Sequence, residues 1–91
     1  MLRIDIWPEA KVFLDTLSAK QKRQLSAKIF SLAEHPNAGR TKLLEGFAPL
    51  RHLRSGDFRI IYFADETILK VVLVDRRNDD RIYRRLKQIF G

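Results

Sequence analysis

The stretch LRHLRSGDFRIIYFADETILKVVLVD, residues 50–75, decides the fold. Leu50 to Arg54, Phe58 to Ala64 and Thr67 to Asp75 read as three strands, because β-branched and aromatic residues crowd each run. Ser55-Gly56-Asp57 and Asp65-Glu66 are short polar turns between them, so the three strands form a meander. Ile68 to Val74 is apolar at nearly every position, which predicts a central strand covered on both faces. Side chains two apart share a face, so Leu50, His52 and Arg54 point one way while Arg51 and Leu53 point the other.

Upstream, Leu2, Ile4 and Ile6 alternate with Arg3 and Asp5, the period of a half-buried strand. Pro8 suits a first helical turn, and Val12, Phe13 and Leu17 supply an apolar stripe for a short helix from Pro8 to Thr16. Trp7 is expected to anchor the first strand to this helix. Ser18 with Gln21 is a capping-box pattern that opens a longer helix, in which Leu25, Ile29, Leu32 and Ala33 recur at spacings of three and four. His35-Pro36-Asn37-Ala38-Gly39 ends it, with His35 placed to complement the helix dipole. The two helices form an antiparallel hairpin.

Arg40 to Pro49 is irregular, with Leu43, Leu44 and Phe47 as expected anchors of a connecting loop. Downstream, Asp79 is placed to cap a last helix that buries Ile82, Leu86 and Ile89 or Phe90. Asp80 is then a first-turn charge. The order β-α-α-β-β-β-α describes an α+β domain: a small antiparallel sheet with the N-terminal helical hairpin packed on it and a C-terminal helix.

The chain has 91 residues, the span of a single domain over 1–91. With 45% hydrophobic and 32% charged residues it has the balance of a globular protein. No run approaches a membrane span, and MLRIDIWPEA lacks the pattern of a signal sequence, so a cytoplasmic location without membrane contact is expected. The absence of Cys, with two His, excludes disulfides, a cysteine nucleophile and thiolate metal sites. Neither a metal nor another cofactor is expected.

Eighteen Lys and Arg against 11 Asp and Glu give a net charge of +7. That excess attracts polyanions, nucleic acid or an acidic protein. Residues 51–91 carry eight Arg and two Lys. Guanidinium matches phosphate bidentately, which suggests directed phosphate recognition. Arg59 interrupts an apolar strand and needs either an acidic partner, Asp57 or Asp75, or a functional anion. His52 is either a strand histidine bonded to backbone or a proton-transfer group, since an unperturbed imidazole titrates near pH 6.5. Tyr83 falls beside the apolar stripe of the last helix, near Arg84 and Arg77.

The segment Leu53-Arg54-Ser55-Gly56-Asp57-Phe58-Arg59-Ile60-Ile61-Tyr62, followed by Arg76-Arg77 and Tyr83, resembles the RelE/ParE superfamily of bacterial toxins, with the RelE-like branch favoured. Lys42-Leu43-Leu44-Glu45-Gly46 resembles the family's K-L-x-G element. The resemblance implies the toxin of a toxin-antitoxin pair, and in the RelE-like branch an endoribonuclease (an mRNA interferase) that cuts messenger RNA on the ribosome and so inhibits translation. It implies catalytic roles for His52, Arg59, Arg77 and Tyr83: Arg59 and Arg77 clamp the scissile phosphate, Tyr83 lies near the RNA, and His52 transfers a proton. Leu50 stands where some members carry a second Lys. Arg51, Arg54, Arg76 and Arg84 are the further RNA-binding candidates, with Lys20, Lys22 and Arg23 on the long helix. The partners implied are a cognate antitoxin in a hetero-oligomer, the ribosome and mRNA. A ParE-like inhibitor that binds DNA gyrase without catalysis shares the scaffold, as does an inactive relative kept for RNA or partner binding.

Overall fold

The computed structural model describes residues 1–36 and 41–90. The elements run β1 (Arg3–Ile6), α1 (Pro8–Asp15), α2 (Ala19–Glu34), β2 (Lys42–Leu43), β3 (Arg51–Ser55), β4 (Phe58–Ala64), β5 (Ile68–Arg76) and α3 (Asp79–Phe90). They form the expected α+β domain, with one strand more than expected. The sheet has the order β1-β5-β4-β3-β2, antiparallel except where β1 lies parallel to β5. Strand β5 is flanked on both sides and covered on both faces, in keeping with its apolar run. Among the described residues no helix is long and apolar enough to cross a membrane.

Two cores separate at the sheet. On one face α1 and α2 bury Ala10, Leu14, Leu25, Ile29, Leu32 and Ala33 against Leu53, Phe58, Ile60, Tyr62, Leu69, Val71 and Val74. On the other, α3 buries Ile82 and Leu86 against Ile61, Val72 and Leu73, with Leu44 and Leu50 from the loop region. Ile82 and Leu86 are wholly buried, each worth about 1.5–3 kcal/mol. Helix α3 therefore builds a core of its own behind the sheet.

A bulge in β5 fixes what faces α3. Ile61 pairs with Leu73 and Tyr62 with Val71, so Val72 is the extra residue. Val72 and Leu73 consequently turn to the same side, and the alternation beyond them is inverted. Strict alternation from Val71 would send Asp75 toward the helical hairpin. The bulge sends it under α3 instead, where its carboxylate is fully buried, 3.0 Å from Arg81 Nε and 3.8 Å from Arg85 Nη1.

Local chemistry sets the turns. Ser18 caps α2, its hydroxyl accepting from the Gln21 N–H at 3.2 Å. Gly56, at φ +59°, is the first of two residues linking Ser55 to Phe58, and a positive φ at that position alone matches a type II′ hairpin. Asp65 Oδ1 accepts from the Thr67 and Ile68 N–H groups at 2.8 Å. These hydrogen bonds, Thr67's first, hold its carboxyl below the usual range.

Several expectations change. Lys42 and Leu43 form a short strand rather than irregular loop, and Leu43 is exposed while Leu44 and Phe47 do the anchoring. Val12 is also exposed; Ala10 and Leu14 carry the α1 stripe. Helix α3 is capped by Asn78, whose Oδ1 accepts from the Arg81 N–H at 3.0 Å, and Asp79, expected as the cap, is its first helical residue. Trp7 leads into α1, but its ring packs toward α3, against Phe63 and Phe90. His35, exposed, is the C-cap that follows α2, its backbone N–H donating to the Ser31 carbonyl at 2.9 Å. The turn residues Asn37, Ala38 and Gly39, with Arg40, lie outside the described residues.

Candidate functional site

The β3–β4 register sets Arg54 directly opposite Arg59, and the β4–β5 register sets Arg59 opposite Asp75. Leu53, Phe58 and Ile60 occupy the helical-hairpin side, so Arg54 and Arg59 project on the α3 side by the two-residue period of a strand. Beyond Phe58 and Arg76 the antiparallel β4–β5 pairing continues by one pair, the Arg77 N–H donating to the Asp57 carbonyl at 2.8 Å. Arg54, Arg59 and Arg77 thereby line one depression of about 270 Å³ with Asn78 and Asp80.

Three guanidiniums in one hollow repel one another, and an anion relieves that repulsion. The first turn of α3 opens beside them, since Asn78 and Asp80 share the lining. Helix N-termini favour negative charge, which adds to the pull on a phosphate. Asp75 and Asp80 partly balance the cluster. Larger hollows of about 570 Å³ lie along α2, but none gathers three arginines.

His52 and Tyr83 flank the depression rather than line it. His52 is half-buried on the same face of β3 as Arg54, two residues away, a spacing of roughly 7 Å along a strand. Tyr83 follows Asp80 by three positions on α3, hence on the same side of that helix. It is half-buried, with its ring 5.5 Å from Phe47. Phe47 is presented by a turn in which Gly46 takes φ +80°, a value that suits glycine. Arg84 is exposed nearby, its Nε donating to the Asp80 carbonyl at 3.4 Å.

The remaining candidates lie elsewhere. Arg51 turns to the opposite face and donates to Thr41, at 3.2 Å to Oγ1 and 3.3 Å to the carbonyl. Arg76 stacks over Phe58, 5.3 Å from the ring centroid, also on the helical-hairpin side. Lys20, Lys22 and Arg23 belong to α2, on the face of the sheet opposite the depression. Lys22 pairs with Asp15 at 2.8 Å, and that hydrogen bond, with the ammonium charge, lowers the Asp15 pKa.

Three residues at the site escape a reading of strand periods alone. Asn78 and Asp80 enter through the helix start, one residue earlier than expected. Lys42 enters through β2, whose register pairs it with His52; only recognition of that two-residue strand could have placed it. Leu50, in contrast, is only 4% exposed and belongs to the core under α3.

Comparison with known proteins identifies the family and the fold. A model of the ParE toxin of the type II toxin-antitoxin system, parDE, matches residues 7–81. No curated protein matches the chain. Among solved structures, a free Escherichia coli RelE toxin with two arginine-to-alanine substitutions is 22% identical, covers 97% of each chain and gives a TM-score of 0.77. The archaeal RelE-RelB complex from Pyrococcus horikoshii is 23% identical over 85% of this chain and 96% of that one, with a TM-score of 0.72. The RelBE2 complex of Mycobacterium tuberculosis is 22% identical over 84% and 98%, also at 0.72. The structural likeness establishes a shared fold.

Proposed function

The chain belongs to the ParE toxin family of type II toxin-antitoxin systems, and from the arginine cluster that this fold assembles we propose that it is a metal-independent endoribonuclease acting on messenger RNA at the ribosome. The observation that carries this reading is the convergence of Arg54, Arg59 and Arg77 in one polar depression, with His52 and Tyr83 at its edges. Cleavage without a metal uses the RNA's own 2′-hydroxyl as nucleophile at the adjacent phosphorus. Negative charge builds on the non-bridging oxygens as the fifth bond forms. Arg59 and Arg77 hold those oxygens, and prearranged donors of this kind act where charge develops. Arg54 adds charge at the hairpin end. His52 accepts the 2′-hydroxyl proton, a role open to a neutral imidazole at pH 7. Tyr83 stacks on a neighbouring base, which is worth about 1–3 kcal/mol.

The +7 charge draws the protein to ribosomal RNA and equally to an acidic antitoxin. RelB accompanies the toxin in the Pyrococcus horikoshii complex, which supports a hetero-oligomer with a cognate antitoxin here; an acidic amphipathic helix or strand suits the basic surface.

The matched family model favours a second reading, a toxin that binds DNA gyrase without cutting nucleic acid. Two assays separate them. Purified toxin with programmed ribosomes and chelator is expected to leave a 2′,3′-cyclic phosphate and a 5′-hydroxyl within the ribosome-bound codon. Inhibition of gyrase supercoiling with intact messenger RNA supports the second reading instead.

A further inference from the structure

Phosphodiester cleavage by the route above needs a proton for the leaving 5′-oxygen, and of the residues so far assigned only the Tyr83 phenol carries one to release, on a ring that packs against Phe47 and is assigned to base stacking. An arginine holds its proton too tightly at neutral pH, and a carboxylate has none to give. Leu50, on the same face of the chain as His52, is a core residue.

We propose that Lys42 is the general acid of the site, donating from its ammonium to the 5′-oxygen while His52 accepts the 2′-hydroxyl proton; this rests on the ribonuclease reading. Lys42 on β2 pairs directly with His52 on β3. Residues opposite each other across antiparallel strands point to the same face, with β-carbons about 4.5–5.5 Å apart. Two neighbours fix that face independently. Ile61, opposite His52 from the other side, and Leu44, two residues beyond Lys42, are both buried under α3. Lys42 is exposed and open to a substrate.

Across the sheet, Lys42, His52 and Ile61 form one row and Arg54, Arg59 and Asp75 the next. A phosphate gripped in the arginine row therefore meets the imidazole and the ammonium side by side. Lysine is protonated at neutral pH and swings three donors on a flexible four-carbon stem.

The step balances. The O2′–P bond forms and the P–O5′ bond breaks. The 2′-hydroxyl proton goes to His52 and the Lys42 proton to the 5′-oxygen. A cyclic phosphate, a 5′-hydroxyl, an imidazolium and a neutral amine result.

A substrate with sulfur in place of the bridging 5′-oxygen tests the assignment, because a thiolate leaves without a proton. On ribosomes carrying the ordinary message, Lys42→Ala and Lys42→Arg are each expected to cut about 10²–10⁴-fold more slowly than wild type in single turnover. Lys42→Arg keeps the charge and isolates proton donation. On the sulfur-bridged message both should return to within about tenfold of wild type, whereas His52→Ala should stay slow. Circular dichroism verifies that each variant is folded. Lysine variants equally slow on both messages, or as fast as wild type on the ordinary one, overturn the proposal, as does sulfur rescue of Tyr83→Phe in their place. A wild-type protein that cuts neither message overturns the ribonuclease reading itself and the assignment with it.

Discussion

Arg59 and Asp75 stand directly opposite each other on β4 and β5, on the face that α3 covers. The buried Asp75 carboxylate also meets Arg81 at 3.0 Å and Arg85 at 3.8 Å. One acid thus ties the last helix to β5, directly across from the strand position that carries a candidate phosphate-binding arginine. Its position depends on the bulge at Val72, without which it would face the helical hairpin.

Asp75→Asn keeps the shape and removes the charge. Losing a fully buried pair partner costs 3–5 kcal/mol, but Arg81 is about half exposed and regains water. The expected loss is therefore about 1–3 kcal/mol, read as a lower urea midpoint. A midpoint equal to wild type would show that α3 is held by Ile82 and Leu86 alone.

Arg59→Ala and Arg77→Ala should each lower single-turnover cleavage by about 10²–10³-fold, the usual loss for one transition-state donor. The neighbouring Arg76→Ala, whose guanidinium lies over Phe58 on the other face, should leave the rate within about threefold in the same assay. Equal losses at Arg76 and Arg77 would contradict the placement of the site.

The Tyr62 hydroxyl donates to the Pro36 carbonyl at 2.7 Å, from a ring that is wholly buried. Tyr62→Phe should cost about 1 kcal/mol, measured by denaturation, with cleavage by the folded protein unchanged. A fall in cleavage would tie this side of the sheet to the chemistry.

Asp65 has a lowered pKa because hydrogen bonds from Thr67 and Ile68 favour its ionised form. A depressed carboxyl pKa adds stability that is present above the unfolded value and is lost as pH falls through the folded one. Asp65→Ala should therefore lower Tm at pH 7, with the difference from wild type shrinking below about pH 4. A difference that persists at pH 2 would assign the loss to turn geometry rather than to charge.

The meander was legible because its turns and strand composition point the same way, and β4 begins and ends where Phe58 and Ala64 suggest. Ser18 announced α2 through its own hydroxyl. The phase of β5 was not legible: with Val71 to Val74 all apolar, nothing along the chain marks Val72 as the extra residue. The same blindness hid the side on which Asp75 emerges. Strand β2 was missed because two residues are too few to show a period. Among the arginines, the i, i+2 rule separated Arg51 from Arg54, and His52 was correctly joined to Arg54. The convergence of Arg54, Arg59 and Arg77 follows from the meander itself, whose β4–β5 pairing extends by one pair to Asp57 and Arg77; which of the neighbours Arg76 and Arg77 joins it depends on the phase set by the bulge.

The most direct test is primer-extension toeprinting of messenger RNA on translating ribosomes, with wild type and with Arg77→Ala in parallel. Wild type is expected to produce a new 3′ boundary inside the decoding-site codon, and Arg77→Ala to leave the message intact although the protein is folded. An intact message with wild type, or the same boundary with both proteins, would contradict a phosphate-clamping arginine cluster as the seat of activity.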